Sequence, residues 1–424
     1  MMKPHASPNR DRVSTEITTL PLIETVTPND QDALAEQVTA CFEQKRPVYP
    51  LGGCTSLDYG LLPRREGTGL SLAGLDQLVD FPARDLTVTV EAGFSMATLA
   101  EQVAEEGLQL PIHVPQAKEA TIGGVIATNW NGPARKGYGT IRDYVIGISA
   151  VDGKGLPFRG GGRVVKNVAG YDFCKLLTGS LGTLGVITQV TLRLKPIPAR
   201  TSTQVVPLDD LDQAEQLLCG LVDSQATPFA MELLSGDCWQ GSPGLDSGSP
   251  WHLAISCSGT DDEVAYMVGQ LEQELLDQSL SAPRELTEDE HQQLWAKLVE
   301  FPVCPEASLV IQATVVPSGT TTIAREARLL DPACSIQAHA GSGIVIVRFS
   351  EFPADGLSRA LVGTLQPVAA AAHGNVTILS NPSGREMTPR SAWGMVPAPL
   401  ALLSRIKKNF DPADILNPGR FVYP

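Results

Sequence analysis

The N-terminal part of the chain combines two hydrophobic periods, one typical of helices and one typical of strands. Residues 27–46, TPNDQDALAEQVTACFEQKR, predict an amphipathic helix of about four turns, with Thr27 as N-cap and Pro28 in the first helical position. Its apolar face carries Leu34, Val38, Cys41 and Phe42. RPVYPLGG then predicts a short buried strand, and DLTVTVEAG alternates as a second one. SMATLAEQVAEEG predicts a helix that begins at the Ser95 cap and stops at Gly107.

The pattern changes after Pro196 and Pro198, which predict a domain boundary. Helical segments such as DDLDQAEQLLCGLVDSQ and EVAYMVGQLEQELLDQ then alternate with strand segments such as HLAISCSG, SLVIQATVV and GIVIVRFS. This order predicts an α+β domain in which helices pack over an antiparallel sheet. The chain closes with a further helix and a Pro-rich tail, ALLSRIKKNFDPADILNPGRFVYP.

Composition narrows the range of partners. The chain has 424 residues, of which 43% are hydrophobic, so we expect a soluble protein of more than one domain. The net charge is −15, and no basic run is present, which argues against nucleic acid or an anionic membrane surface as the partner. The N-terminus lacks the apolar run of a signal peptide, and no stretch is long enough for a membrane helix. An anion bound to so acidic a chain would depend mainly on local backbone dipoles.

Eight cysteines are placed singly, at positions 41, 54, 174, 219, 238, 257, 304 and 334. No pair has CxxC spacing, so an iron–sulfur cluster or structural zinc site is not expected. We expect reduced thiols and a cytoplasmic protein.

Four glycine-rich loops, each beside a short strand, distinguish the first half. They are LGGCTS (51–56), ATIGGVIATNWNGP (120–133), RGGGRVVKNVAGYD (159–172) and GSLGTLG (179–185). Each alone is most simply a structural turn, but together they indicate backbone N–H groups open to a dinucleotide. None is a GxGxxG that leads from strand to helix, so a Rossmann site is not predicted.

The order and content of these loops resemble the vanillyl-alcohol-oxidase (PCMH-type) superfamily of FAD-binding proteins. PLGGCTS resembles its pyrophosphate loop, ATIGGVIATNWNGP…YGTIRDYVIG its second block, and VVKNVAGYDFCKLLTGSLGTLGVITQVTLRLKPIP its third. FDPADILNPGRF resembles the tail that returns to the FAD domain. Within the superfamily the chain is most similar to the E subunit of glycolate oxidase (glycolate dehydrogenase), because Leu181 stands where D subunits and D-lactate dehydrogenases usually carry Glu.

The resemblance implies an α+β fold with four parts: a disordered N-terminus (1–15), a PCMH-type FAD-binding domain (16–198), an α+β cap with an antiparallel sheet (199–380) and a returning C-terminal segment (381–424). It also implies the FAD contacts, which are Gly52, Gly53, Cys54, Thr55, Ser56, Thr121, Gly123, Gly124, Ser180, Gly182, Thr183, Gly185 and Ile187. Loops of free N–H groups could hold the diphosphate without fixed positive side chains. Cys54 follows GG, at a position where some relatives carry a His that is bonded to the flavin. We expect FAD to be bound non-covalently; the alternative is a thioether bond between Cys54 and the flavin.

The catalytic signals are weaker. Relatives carry HxGDGNxH, and the nearest match here is HAGSGIVI (339–346), which keeps His339 but has Ile346 in place of the second His, so no metal is expected. His373 in AHGNVTIL is a second candidate imidazole, with a solvated turn as the alternative. Arg348 could hold a substrate carboxylate, and Arg385 and Arg390 are further candidates.

The sequence is therefore compatible with two functions. In the first, the chain is a FAD subunit that oxidises glycolate or a similar 2-hydroxy acid such as D-lactate and passes electrons onward. In the second, it is a non-catalytic FAD-binding or assembly subunit whose D-type partner performs the oxidation. Both imply a second flavin subunit (D-type) and an iron–sulfur subunit (F-type), which could hold the complex at the inner membrane.

Overall fold

The computed structural model describes residues 20–162, 171–278, 283–304, 306–395 and 399–421. The expected disordered segment 1–15 and most of the loop 159–172 lie outside these ranges.

The first half contains two sheets and a short strand pair. Its strands are β1 (Leu22–Val26), β2 (Val48–Leu51), β3 (Gly67–Ser71), β4 (Leu78–Asp80), β5 (Thr87–Glu91), β6 (Leu108–Gln109), β7 (Val145–Val151), β8 (Pro157–Gly161), β9 (Val186–Arg193) and β10 (Lys195–Pro196). Its helices are α1 (Gln31–Glu43), α2 (Met96–Ala104), α3 (Ile122–Thr128), α4 (Arg135–Tyr138), α5 (Ile141–Tyr144) and α6 (Phe173–Leu177). The order β1-β3-β2 forms a parallel sheet, β4-β5-β9-β7-β8 forms an antiparallel sheet, and β6 pairs with β10.

The predicted helices of this half are present, although α1 starts later than expected. Its N-cap is Asp30, whose side chain accepts from the Ala33 N–H, so Thr27 and Pro28 precede the helix. The carboxylate of Asp30 satisfies an N–H of the first turn, which the more distant Thr27 does not. α2 has the predicted cap, because the Ser95 side chain accepts from the Thr98 N–H.

The second half is built on one antiparallel sheet of eight strands, as the alternating pattern predicted. Its strands are β11 (Arg200–Leu208), β12 (Ala230–Ser235), β13 (Trp251–Gly259), β14 (Arg284–Glu285), β15 (Leu309–Thr314), β16 (Ser335–His339), β17 (Ile344–Phe349) and β18 (Asn375–Ser380), in the order β14-β11-β13-β12-β16-β17-β15-β18. Its helices are α7 (Leu211–Val222), α8 (Asp261–Asp277), α9 (Glu288–Glu300), α10 (Thr320–Leu330), a π-helical segment (Ser358–Leu365) that continues into α11 (Gln366–Ala371), α12 (Pro389–Trp393) and α13 (Leu400–Phe410). Short 3₁₀ turns cover Ala83–Asp85, Asp237–Trp239, Pro317–Gly319 and Ala340–Ser342.

The two faces of this sheet have different neighbours. Side chains of α7, α8, α10 and α11 share a core with one face. On the other face, α9 packs together with Tyr59 and Trp130 of the first half. This second face therefore forms the seam between the two halves of the molecule. None of the helices in the described parts of the chain is long and apolar enough to cross a membrane.

The C-terminal segment returns to the first half after α13. The Val48 N–H donates to the carbonyl oxygen of Ile415 (2.7 Å), and the Asn417 N–H donates to that of Val48 (2.9 Å). The tail thus lies beside β2, the strand that leads into the loop LGGCTS.

Candidate cofactor site

Three of the glycine-rich loops meet in one cavity, here called the glycine-lined cavity. The empty space at this site, counted together with its open mouth, is about 1010 Å³. Eleven of the thirteen expected contact residues line it: Gly52, Gly53, Cys54, Thr55, Ser56, Thr121, Gly123, Gly124, Gly182, Gly185 and Ile187. Apolar walls are added by Leu20, Leu57, Leu72, Val114, Val125, Ala127, Trp130 and Val186.

The other two expected contacts, Ser180 and Thr183, are not among the described lining residues of this cavity. Both are buried, and the Thr183 hydroxyl donates to the carbonyl oxygen of Ser180 (2.6 Å). The Ser180 hydroxyl is buried and has no hydrogen-bond partner among the described residues. Their contact with FAD stays a prediction.

The glycines of the cavity serve two different purposes. A Cβ at Gly53 would overlap the backbone carbonyl of Glu119, and a Cβ at Gly123 would lie 2.8 Å from the Cβ of Ala92. These two glycines allow protein segments to pack closely. Gly124 is different, because its Cβ would meet only the hydroxyl of Thr121, at 3.3 Å, among the described atoms. Its missing side chain leaves space in the cavity itself.

The tail contributes two lining residues that sequence reasoning missed, Asn417 and Arg420. The Asn417 amide donates to the carbonyl oxygen of Leu181 (2.6 Å). The Arg420 guanidinium donates to the carbonyl oxygens of Leu57 (2.8 Å) and Tyr59 (2.9 Å). Arg420 is only 6% exposed, and burial lowers its pKa to about 10. Net charge gave no sign of this buried cation; the motif NPGRF was the available signal.

A second space, the seam cavity, lies next to the glycine-lined cavity, between the first half and the cap. The two share Cys54, Thr55, Ser56, Leu57 and Trp130. The remaining walls of the seam cavity are Asp58, Tyr59, Gln116, Pro302, Val303, Cys304, Leu379, Ser380 and Pro382. Asp58 is the charged side chain among these described residues.

His339 is held by a buried carboxylate on the seam face of the cap sheet. Its Nδ1 lies 2.8 Å from Oε2 of Glu232, and Gln337 donates to the same oxygen (2.8 Å). His339 is 4% exposed and Glu232 is 1% exposed. Burial raises the pKa of Glu232, while His339 opposes that rise.

The structure does not bring the three catalytic candidates together at either cavity. His373 is exposed at the turn before β18, with a left-handed φ of 55°. The guanidinium of Arg348 donates to the carbonyl oxygens of Phe301, Glu300 and Val303 and stacks on the Phe301 ring. His339, His373 and Arg348 are all missing from the described linings of the two cavities. Arg385 and Arg390 are exposed.

Two protein families match consecutive parts of the chain. Residues 24–160 match the FAD binding domain family, and residues 197–421 match the family "FAD linked oxidases, C-terminal domain". The chain belongs to the FAD-linked oxidases. The superfamily assignment made from the glycine loops is therefore confirmed, and the cofactor of this oxidoreductase is FAD.

The site of this FAD-linked oxidase fits its cofactor. FAD presents two flat ring systems and an anionic diphosphate, and the cavity offers apolar walls, neutral glycine loops and one buried guanidinium. Among the described residues, no group of three or more His, Cys, Asp or Glu side chains is placed to hold a metal ion.

The names of several curated relatives of this FAD-linked oxidase refer to small hydroxy acids. "Glycolate oxidase subunit GlcD" of Bacillus subtilis is 33% identical over 209 residues, which are 49% of this chain and 44% of the relative. "Glycolate oxidase subunit GlcE" of Escherichia coli is 35% identical over 39% of this chain and 47% of the relative. The mitochondrial cytochrome D-lactate dehydrogenase of Arabidopsis thaliana is 27% identical over 94% of this chain and 73% of its own length. The matches to the two glycolate oxidase subunits thus span less than half of each relative.

Solved structures support the fold. p-Cresol methylhydroxylase with substrate bound superposes with a TM-score of 0.71 at 16% identity, over 93% of this chain and 88% of that one. Alkyldihydroxyacetonephosphate synthase superposes with a TM-score of 0.66 at 17% identity. The expected PCMH-type α+β fold is confirmed.

Proposed function

We propose that this chain is a FAD-carrying subunit of a glycolate-oxidase-type complex, which oxidises glycolate or a similar 2-hydroxy acid such as D-lactate to the 2-oxo acid. The observation that carries the proposal is the glycine-lined cavity, in a chain similar to two glycolate oxidase subunits and to D-lactate dehydrogenases. The FAD-binding residues are the eleven lining residues of the expected set, with Asn417 and Arg420. Leu181, in place of the usual Glu, favours an E-type subunit.

In the reaction the substrate loses a hydride from its carbinol carbon and a proton from its hydroxyl. Bound FAD supplies the hydride acceptor. The chain's own part is to hold the cofactor by loop N–H groups and by Arg420, and to cover it with the seam face of the cap. Among the described residues, no group of three or more His, Cys, Asp or Glu side chains is placed to hold a metal ion; in this proposal electrons leave the flavin through partner subunits. We propose a D-type flavin subunit and an F-type iron–sulfur subunit as those partners.

FAD attachment is proposed to be non-covalent. The Cys54 thiol points back towards the carbonyl oxygen of Gly52 (3.7 Å), and burial raises its pKa. A protonated thiol is a poor nucleophile, so a thioether to the flavin is disfavoured. Acid precipitation should release the flavin into the supernatant; yellow colour retained in the pellet of the chain, and lost in Cys54→Ala, would contradict this.

A second candidate function is favoured by the positions of the catalytic candidates. Because His339, His373 and Arg348 lie outside both described cavities, a D-type partner could perform the oxidation while this chain carries flavin.

Anaerobic addition of glycolate or D-lactate to the purified, FAD-loaded chain tests the first function against the second, with L-lactate as control. Bleaching of the visible flavin band by one substrate supports the first function. If the flavin stays oxidised in the isolated chain but is reduced after the partners are added, the second function holds. Flavin that neither substrate reduces, alone or in the complex, would contradict both.

A further inference from the structure

Arg420 is a cation buried in a position where the described protein atoms do not neutralise it. Two of its N–H groups donate to backbone carbonyls, those of Leu57 and Tyr59, and it forms no ion pair with the described residues. Asp58 is the carboxylate that most favours its charged form, but that carboxylate accepts from Ser380 (3.4 Å). A buried charge without a counter-charge is unfavourable unless a ligand supplies one.

The position of Arg420 indicates which part of the cofactor could supply this counter-charge. Its carbonyl partners belong to the loop that continues directly from Gly52 and Gly53, and Leu57 itself lines the cavity. The other lining residues of that loop are neutral. At neutral pH the negative charge of oxidised FAD lies on its diphosphate, so the diphosphate is the matching group.

We propose that Arg420 is the charge partner of the FAD diphosphate, so that the C-terminal segment closes on the cofactor and is held by it. The inference rests on the proposed FAD site. It assigns to the tail a binding role in addition to its packing against β2.

The contrast with Arg65 provides a matched control. Arg65 also bonds to the C-terminal segment, through the carbonyl oxygen of Asp414 (2.8 Å), but it is not among the described lining residues of the cavity. Arg65→Gln therefore removes a guanidinium contact to the same segment without removing charge from the cofactor site. Arg420→Lys keeps the charge and serves as the conservative variant.

The test is equilibrium titration of the apo chain with oxidised FAD, at low and at high salt. Arg420→Gln should raise the Kd by about tenfold or more, since a hydrogen bond to a charged group is lost, and should weaken its salt dependence. Arg420→Lys should retain most of the affinity, and Arg65→Gln should bind like the unaltered chain. A Kd for Arg420→Gln within twofold of the unaltered chain, or no greater than that of Arg65→Gln, would overturn the inference.

Hydrogen exchange of residues 411–421 gives a second readout that does not depend on affinity alone. FAD should protect this segment in the unaltered chain and in Arg420→Lys, and protect it less in Arg420→Gln at saturating FAD. Equal protection in the unaltered chain, Arg420→Lys and Arg420→Gln would contradict a coupling between FAD and the C-terminal segment through Arg420. If Arg420→Gln does not fold, hydrogen exchange in the unaltered chain decides: protection of residues 411–421 by FAD supports the inference, and exchange that FAD leaves unchanged overturns it. An unaltered chain that binds no FAD would instead refute the proposed function.

Discussion

Gly123 and Gly124 are neighbours at the start of α3, yet the structure gives them different tasks. An added methyl at Gly124 would project beside Thr121 into the cavity, whereas one at Gly123 would strike Ala92. Gly124→Ala should therefore fold normally, since Ala favours a helix, and should bind FAD about tenfold more weakly or worse. Flavin titration and thermal unfolding measure the two effects.

Gly123→Ala provides the contrast in stability, because its added methyl group meets Ala92 rather than open space. Its clash with Ala92 should lower the free energy of unfolding of the apo chain by about 1–3 kcal/mol. If Gly124→Ala binds FAD as tightly as the unaltered chain, the cavity surface at α3 is not the cofactor surface.

His113 predicts a pH dependence of stability. It lies at the seam against Trp295 (ring centroids 5.4 Å apart), its Nδ1 is buried without a partner among the described residues, and burial, with a smaller effect of His291, lowers its pKa to about 4. The unfolded chain would titrate near pH 6.5 and bind the proton more readily. The stabilising contribution is therefore complete above about pH 6.5 and is lost as the pH falls towards 4.

Replacing His113 by Gln should flatten this part of the stability profile. Because His113 as a whole residue is only partly buried, we expect a difference of only about 1 kcal/mol between pH 7.5 and pH 5, measured by urea unfolding. If stability depends on pH in the same way in the unaltered chain and in His113→Gln, His113 is not the group that titrates.

At the residue scale, the glycine loops could be recognised from the sequence, because their composition is local. The contacts of Arg420 and the pairing of Glu232 with His339 could not be predicted in this way. The carbonyl partners of Arg420 lie more than 360 positions away along the chain, and Glu232 reaches His339 only because β12 pairs with β16. In another topology, Arg420, Glu232 and His339 would be ordinary surface residues.

At the scale of elements, α13 is fastened by a buried ion pair. Lys407 lies 2.6 Å from Oδ2 of Asp411 and also donates to the carbonyl oxygens of Thr183 and Leu416 (both 3.0 Å). Asp411 in turn accepts from the N–H groups of Ile415 and Leu416. This cluster ties the tail to the glycine loop 179–185.

Lys407→Met should lower the free energy of unfolding by about 3 kcal/mol, because it leaves Asp411 as a buried, uncompensated charge. The double variant Lys407→Met/Asp411→Asn should recover part of the loss, which chemical denaturation can measure. If the single variant is as stable as the unaltered chain, the pair does not fasten the tail.

Element types were predicted well where a hydrophobic period is long, as in α2, α8 and β15. Element ends were less certain, and α1 shows why. Pro28 and Asp30 are both good starting residues, and the choice depends on which side chain reaches an unpaired N–H.

At the scale of the molecule, the two halves are joined along the seam by polar contacts. The Gln116 N–H donates to Glu300 (2.9 Å), Tyr138 hydrogen-bonds to Ser258 (2.9 Å), and Lys136 donates to the carbonyl oxygen of Pro228 (3.0 Å). Gln116 precedes the second glycine loop, and Lys136 and Tyr138 follow it, so the cap is held on both sides of that loop. The seam should therefore move little when FAD binds, and the C-terminal segment should change most.

The central claim is that the glycine-lined cavity holds one FAD per chain. Titration of the apo chain with FAD, followed by quenching of flavin fluorescence, tests it most directly when the unaltered chain and Gly124→Ala are compared. We predict saturation at one equivalent for the unaltered chain and a weaker curve for the variant. No saturable binding by the unaltered chain, or two superimposable curves, would contradict the account.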